Sequence, residues 1–328
     1  MLQLGILDQS PISEGSSIGD ALRNSIDLAR HADGLGYTRY WLAEHHGAAS
    51  LACASPEVMI GPVAAATTRL RVGSGGVMLP HYSPLKVAES FGMLDGLFPG
   101  RIDLGLGRAA GTSPRIAHQL QRDRRYSLPD DFPEQLEELA GLLKARESAP
   151  EMWLLGSSEQ SAIWAAERGL PYAFADFINP GGAPYARWYR DHFIPQSGSK
   201  PRVIVALSAI CAETDGEAFR LSLSQRMSIL MLLRGRTIPI PPVERAESFL
   251  QHEGMPPELL PVGRRMITGS PATVRSSIEE VAASYGADEV LIVTNTFDHQ
   301  ARIRSFELIA EAFGLGASAS QANASLRR

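Results

Sequence analysis

The order of strand-like and helix-like segments constrains this chain more than any other feature, because the two alternate almost from end to end. Residues 2–7 read as a strand, and 18–35 follow as an amphipathic helix with Ile18, Leu22, Ile26 and Ala29 at helical spacing. A second strand at 37–42 leads to a helix at 56–67, with Ser55 in the capping position and Pro56 in the first turn. The alternation goes on through strand 70–77, helix 84–97 (capped by Ser83), strand 102–106 and helix 132–144. It is completed by 152–155, 158–167, 172–175, 183–191, 203–210, 215–233, 289–293 and 302–313. About eight strand–helix units make the count of a closed parallel α/β barrel, the (β/α)8 or TIM barrel. A doubly wound sheet would carry fewer strands and a glycine-rich first turn, whereas the first turn here is "DQSPISEGS". The interval 234–287 is too long for one connection and reads as an insertion before the last strand, with Ser270 and Pro271 starting a helix inside it. Residues 1–314 then form a single barrel domain. The tail 315–328 lacks apolar periodicity and is expected to be disordered.

Composition narrows the function. The 328 residues are 44% hydrophobic and 20% charged, which suits a soluble protein with a large core. A net charge of −5 without a long basic block argues against nucleic-acid capture. The densest basic cluster, "RDRR" at 122–125, reads as a solvated loop. No apolar run approaches the roughly 20 residues of a membrane span, and the N-terminus opens directly on a strand instead of a signal peptide. Cys53 and Cys211 offer neither a disulfide framework nor zinc spacing, so a cytoplasmic location is expected.

A barrel carries its chemistry at the carboxyl ends of its strands. "LAEHHG", 42–47, falls there, after the second strand. Adjacent residues of an extended chain point to opposite faces, so His45 and His46 cannot share a metal, and no third-ligand pattern accompanies them. No metal site is expected. One histidine as a proton donor or acceptor, and a histidine that only satisfies neighbouring carbonyls, both remain open from spacing. "LLGSSEQSA", 154–162, runs from a strand through a Gly156 turn into a helix that begins with serines. Backbone N–H groups and the helix dipole there favour an anion, with Ser157, Ser158 and Ser161 as hydroxyl donors; serines that merely cap the helix are the alternative. Arg108 ends the neighbouring strand on the same rim and could pair with the same phosphate. Gly73, Gly75 and Gly76 lie in a strand, where glycine weakens structure unless something flat approaches the backbone. Together these features suggest a phosphorylated planar cofactor across the mouth.

The runs "WLAEHHG", "RLRVGSGGVMLPHYSPLKVAES", "LDGLFPGRIDLGLGR" and "LLGSSEQSAIWAAERGLPYAFA" resemble those of the bacterial-luciferase-like flavin monooxygenases, in the same order and over nearly the whole chain. The resemblance implies a barrel that binds FMN at its mouth. Reduced FMN, supplied by a separate reductase, reacts there with O2 at the flavin C4a carbon, and the resulting peroxide oxygenates a small organic substrate. It implies that His45 serves catalysis, that Arg108, Ser158 and Ser161 hold the phosphate, and that Gly75-Gly76 is a non-prolyl cis peptide under the flavin ring. It also implies a homodimer, paired through the helices after strands two and three, and helix 56–67 is apolar nearly all round. Two departures stand out. Gly107 occupies the position of a reactive cysteine in light-emitting members, and a second phosphate-binding arginine has no counterpart. The phosphate seat also follows strand five, where barrels commonly use strands seven and eight.

Other readings weigh less. Hydride transfer with the deazaflavin F420 would need more basic groups at the rim for its longer acidic tail. A non-catalytic flavin-binding protein would leave His45 without a role. A phosphosugar lyase would want a Schiff-base lysine at a strand end, but Lys86, Lys144 and Lys200 fall in helices or loops.

Overall fold

A computed structural model describes residues 2–108, 114–120, 130–146, 148–196, 198–254 and 263–316. The basic cluster 122–125, part of the 234–287 interval and nearly all of the 315–328 tail therefore lie outside the described residues. The elements are β1 (Gln3–Asp8), α1 (Ile18–Leu35), β2 (Arg39–Leu42), α2 (Pro56–Ala65), β3 (Arg71–Met78), α3 (Pro84–Leu97) and β4 (Ile102–Gly107). They continue with α4 (Pro114–Leu120), α5 (Phe132–Lys144), β5 (Glu151–Gly156), α6 (Glu159–Glu167), β6 (Tyr172–Ala175), α7 (Ala183–Asp191) and β7 (Val203–Cys211). The chain then runs through α8 (Asp215–Leu233), α9 (Val243–His252), β8 (Ile267–Gly269), α10 (Pro271–Tyr285), β9 (Glu289–Val293) and α11 (His299–Phe313).

Strands β1 to β7 pair in parallel in chain order, and β9 closes the ring between β7 and β1. This is the eight-stranded (β/α)8 barrel that the alternation calls for. The ninth strand, β8, pairs only with the end of β7, from Ala209↔Ile267 to Cys211↔Gly269. Helix α10 packs on β7 and between α7 and α11, in the outer ring. Helix α8 packs on β7 and β8 and, on another side, against α9 around Leu223, Met227, Met231, Val243, Ala246 and Leu250. The extra layer is thus joined to the barrel through α8, which begins before residue 234.

Local signals explain the element starts. Ser17 accepts from the Asp20 N–H while the Asp20 carboxylate accepts from the Ser17 N–H, a capping box that opens α1. Ser55, Ser83 and Ser270 each precede a proline at the start of a helix, yet none makes a side-chain capping bond. The rigid proline ring already sets the first helical φ and removes one orphan N–H.

The barrel interior has two layers. Its upper part is apolar, built from Leu7, Trp41, Trp153, Ala173, Ile204, Ala206 and Leu291. Its floor is charged. Arg39, Arg71, Glu151 and Glu289 are the first residues of their strands, and Asp103 is the second of β4. The buried Arg39 guanidinium donates to Asp103 and, at 3.1 Å, to Glu289, and lies 4.8 Å from the Trp153 ring centre. Asp103 also accepts from Trp41 Nε1 and Arg71 Nε, each at 2.9 Å. Burial pulls the Arg39 pKa down, but Asp103 and Glu289 outweigh it and hold it above its ordinary value. Removing one carboxylate leaves a buried guanidinium short of a counter-charge. Asp103→Ala should destabilise the fold by about 3–5 kcal/mol in urea unfolding; a change under about 1 kcal/mol, the range of exposed pairs, would show the floor to be dispensable.

Candidate active site at the barrel mouth

A cavity of about 520 Å³ opens at the carboxyl ends of the strands. His45, Gly75, Gly76, Arg108, Gly156, Ser157, Ser158 and Ser161 all line it, so the sequence candidates do converge. Leu7, Trp41, Leu154, Phe174, Phe177 and Leu291 supply most of its apolar wall.

The stretch after β2 sorts itself by alternation. Glu44 is fully buried and accepts from His46 Nε2 at 2.7 Å, the Tyr82 hydroxyl at 2.9 Å and the Met78 N–H at 3.0 Å. The His46 ring meets His81 edge-on at 5.9 Å. His45 turns the other way, into the cavity, and its backbone N–H is pinned to the Cys53 carbonyl at 2.9 Å. Its Nδ1 is buried without a hydrogen-bond partner among the described residues. Burial, reinforced by His46, lowers the His45 pKa to about 4, with the Ala43 backbone opposing only in part. The imidazole is neutral at physiological pH. A metal site is not assembled here, and among the described residues no group of three or more His, Cys, Asp or Glu side chains could hold an ion.

At the opposite rim, Ser158 caps α6 with φ −137° and ψ 164°, and its hydroxyl makes no capping bond. The first N–H groups of α6 are thus left to a ligand or to water. The Asn179 side chain donates to the Ser157 carbonyl at 2.9 Å and fixes the turn, a contribution the sequence reading missed. Arg108 pairs with Asp130 at 2.8 Å and stacks 5.6 Å from the Trp164 ring centre, its side chain about half exposed. An exposed pair of this kind is worth only about 0–1 kcal/mol, so a phosphate can compete for the guanidinium.

Two groups of candidates also have close partners within the protein. The buried Ser161 hydroxyl donates to the Ser158 carbonyl at 2.6 Å and lies 3.2 Å from the Tyr172 hydroxyl. Its proton is used inside the helix, and a Cβ on Gly156 would fall 2.2 Å from its Oγ. Gly156 and Ser161 are each other's packing constraint. The β3 glycines are closely packed as well, and Gly75 and Gly76 still line the cavity. The Gly75–Gly76 peptide is cis, and a Cβ on Gly75 would come within 2.4 Å of Leu7 and 3.1 Å of Trp41. Two strand-end carboxylates are paired away from the cavity. Asp8 is buried against Arg302 and Tyr40, and Asp176 pairs with Arg265 at 2.7 Å and with the Tyr285 hydroxyl at 2.8 Å.

Comparison with known proteins points one way. A family model described as luciferase-like monooxygenase matches residues 2–289. A luciferase-like monooxygenase of Escherichia coli (strain K12) is 41% identical over 325 residues, covering 94% of this chain and 96% of that one. An N-acetyl-S-alkylcysteine monooxygenase of Bacillus subtilis (strain 168) is 35% identical over 331 residues, covering 95% and 98%. Among solved structures, apo-MsnO8 aligns with a TM-score of 0.88 at 38% identity, covering 96% of this chain and 99% of that one. At 20% identity and a TM-score of 0.74, covering 95% and 98%, the fold alone is shared with the oxygenating constituent of 3,6-diketocamphane monooxygenase from Pseudomonas putida, solved with FMN. The fold is shared too with an F420-dependent secondary alcohol dehydrogenase, at 14% identity and a TM-score of 0.65, covering 95% and 98%. The chain belongs to the luciferase-like monooxygenase family.

Proposed function

We propose that this protein is an FMN-dependent monooxygenase that inserts one atom of O2 into a small organic substrate, using reduced FMN from a separate reductase. The observation that carries the reading is the division of one cavity into an anion seat at β4, β5 and α6, an apolar body, and a neutral histidine just after β2. That is the polarity sequence of a phosphate, a flat ring and a reacting centre. When bound, reduced FMN supplies the electrons that activate O2. Arg108, the Ser157 and Ser158 hydroxyls and the first N–H groups of α6 would hold the phosphate. Trp41, Leu7, Phe174 and Phe177 would exclude water from the ring. The neutral His45 ring would accept or hold the proton that moves as the oxygen is transferred.

The substrate proposed for first trial is a thioether of the N-acetyl-S-alkylcysteine kind, by analogy with the Bacillus relative. FMN is favoured over F420 because, among the described residues, Arg108 is the one basic side chain on the cavity wall. No described helix is long and apolar enough to cross a membrane, and we place the enzyme in the cytoplasm. We also propose a homodimer through α2 and α3, where Val58, Leu85, Met93 and Leu97 are 47–69% exposed. Contiguous exposed apolar side chains of this kind mark interaction sites, and a monomer in sedimentation at micromolar concentration would contradict it.

Arg108→Ala should weaken FMN binding by roughly 1.5–3 kcal/mol, the range for hydrogen bonds to charged groups, as read by fluorescence titration. An unchanged dissociation constant would remove Arg108 from the phosphate seat. His45→Ala should leave FMN binding nearly intact and cut turnover by roughly 10²-fold or more. Because the His45 pKa is lowered to about 4, the wild-type contribution should persist as pH falls through 6.5 and disappear only towards 4. A wild-type rate that titrates near 6.5, absent from His45→Ala, would contradict the neutral buried imidazole.

A further inference from the structure

Gln9 follows β1 directly, and its side chain lines the cavity on the side opposite the anion seat, since β1 stands four strands from β5 around the barrel. Its conformation is over-determined. The residues on either side, Asp8 and Ser10, are fully buried. Ser10 has φ 49°, a left-handed conformation that a serine adopts at some cost. It is held there by its N–H donating to Asp8 Oδ1 at 2.7 Å and by its Oγ accepting from Ser25 at 2.9 Å. The Gln9 amide is then fixed from behind. Asn295, 5% exposed at the end of β9, donates from Nδ2 to Gln9 Oε1 at 2.6 Å. With its oxygen engaged, the amide has one end left, Nε2, which finds no acceptor among the described residues.

A hydrogen-bond donor held rigidly at the wall of a largely apolar cavity asks for an acceptor in the ligand. An isoalloxazine ring has one apolar edge, the dimethylbenzene side, and one polar edge bearing two carbonyl oxygens. The cavity has a matching asymmetry. Gln9 and His45 follow the adjacent strands β1 and β2 and both line the cavity, and His45 Nδ1 has no hydrogen-bond partner among the described residues. The β6 side presents Phe174, Phe177 and Ile178. We infer that Gln9 is a cofactor-positioning residue, whose amide N–H receives a carbonyl oxygen of the pyrimidine edge and turns that edge of the flavin towards β1 and β2. This rests on the FMN reading proposed above and adds the orientation of the ring. Asn295 acts through Gln9, by holding its amide in place against the end of β9. Reduction places more negative charge on the pyrimidine edge, so a neutral donor at this point favours the reduced ring and a carboxylate opposes it.

The test is a titration of wild type, Gln9→Leu and Gln9→Glu with oxidised FMN, reduced FMN and riboflavin, read by fluorescence and absorbance without substrate. Gln9→Leu should weaken FMN and riboflavin alike, by roughly five-fold, the scale of one neutral hydrogen bond. Gln9→Glu should weaken reduced FMN more than oxidised FMN and so lower the midpoint potential of the bound flavin. Arg108→Ala should behave differently, weakening FMN and not riboflavin, since riboflavin lacks the phosphate. Unchanged affinities in both Gln9 variants, with Arg108→Ala still selective for FMN, would overturn the role of Gln9 and leave the FMN reading standing. A wild type that binds neither flavin would overturn both.

Discussion

The barrel mouth hangs on one buried ion pair. Arg302, on the last helix and 2% exposed, donates from Nη2 to Asp8 Oδ1 at 2.6 Å and from Nε to the Thr294 carbonyl at 2.7 Å. One side chain thereby ties the end of the first strand to the end of the last, across the seam where the barrel closes. Asp8 accepts as well from the Tyr40 hydroxyl, which brings in β2, and from the Ser10 N–H. Burial alone would raise the Asp8 pKa, but Arg302, Ser25 and Tyr40 outweigh it and hold the carboxyl below its ordinary range. A buried pair of this kind tolerates no missing partner, because the remaining charge has no water to turn to.

That constraint propagates into the site. It fixes the Asp8–Ser10 turn and so the Gln9 amide, and through Tyr40 it sets the strand that delivers His45. The loops over the mouth are laced to the same turn. Ala52 N–H donates to the Ser10 carbonyl at 2.9 Å, and Ile240 N–H to the Ile12 carbonyl at 2.8 Å. The first part of the extra layer is thus stitched to the strand ends instead of floating above them. The floor does complementary work from below. Arg39 under Trp41 and Trp153 fills the lower barrel with charge that is paired within the protein, so the apolar upper layer can end in an open cavity and not in a closed core.

Much of this was legible in the sequence, and the parts that were not share a cause. Periodicity and capping residues placed helix 18–35 and strand 289–293 with the observed bounds, because those signals are local. Alternation at "LAEHHG" separated His45 from His46 for the same reason. Arg302 and Asp8 lie 294 residues apart, and Arg39 and Glu289 lie 250 apart. Nothing local marks such partners, so the Asp8–Arg302 pair and the charged floor went unseen. The Ser161 bond to the Ser158 carbonyl was not legible, because a serine in a first turn looks the same whether its proton faces a ligand or the preceding carbonyl. The β3 glycines were legible, since the cis peptide expected at Gly75–Gly76 is present and both glycines line the cavity.

The central claim is that the mouth is built for FMN, and a direct comparison of cofactors tests it. Trp41 and Trp164 line the cavity, so the purified protein reports occupancy through its own tryptophan emission. Titration with FMN and, in parallel, with F420 should give saturable one-to-one quenching by FMN and markedly weaker binding of F420. Tighter binding of F420, or no response to FMN in either redox state, would contradict the account.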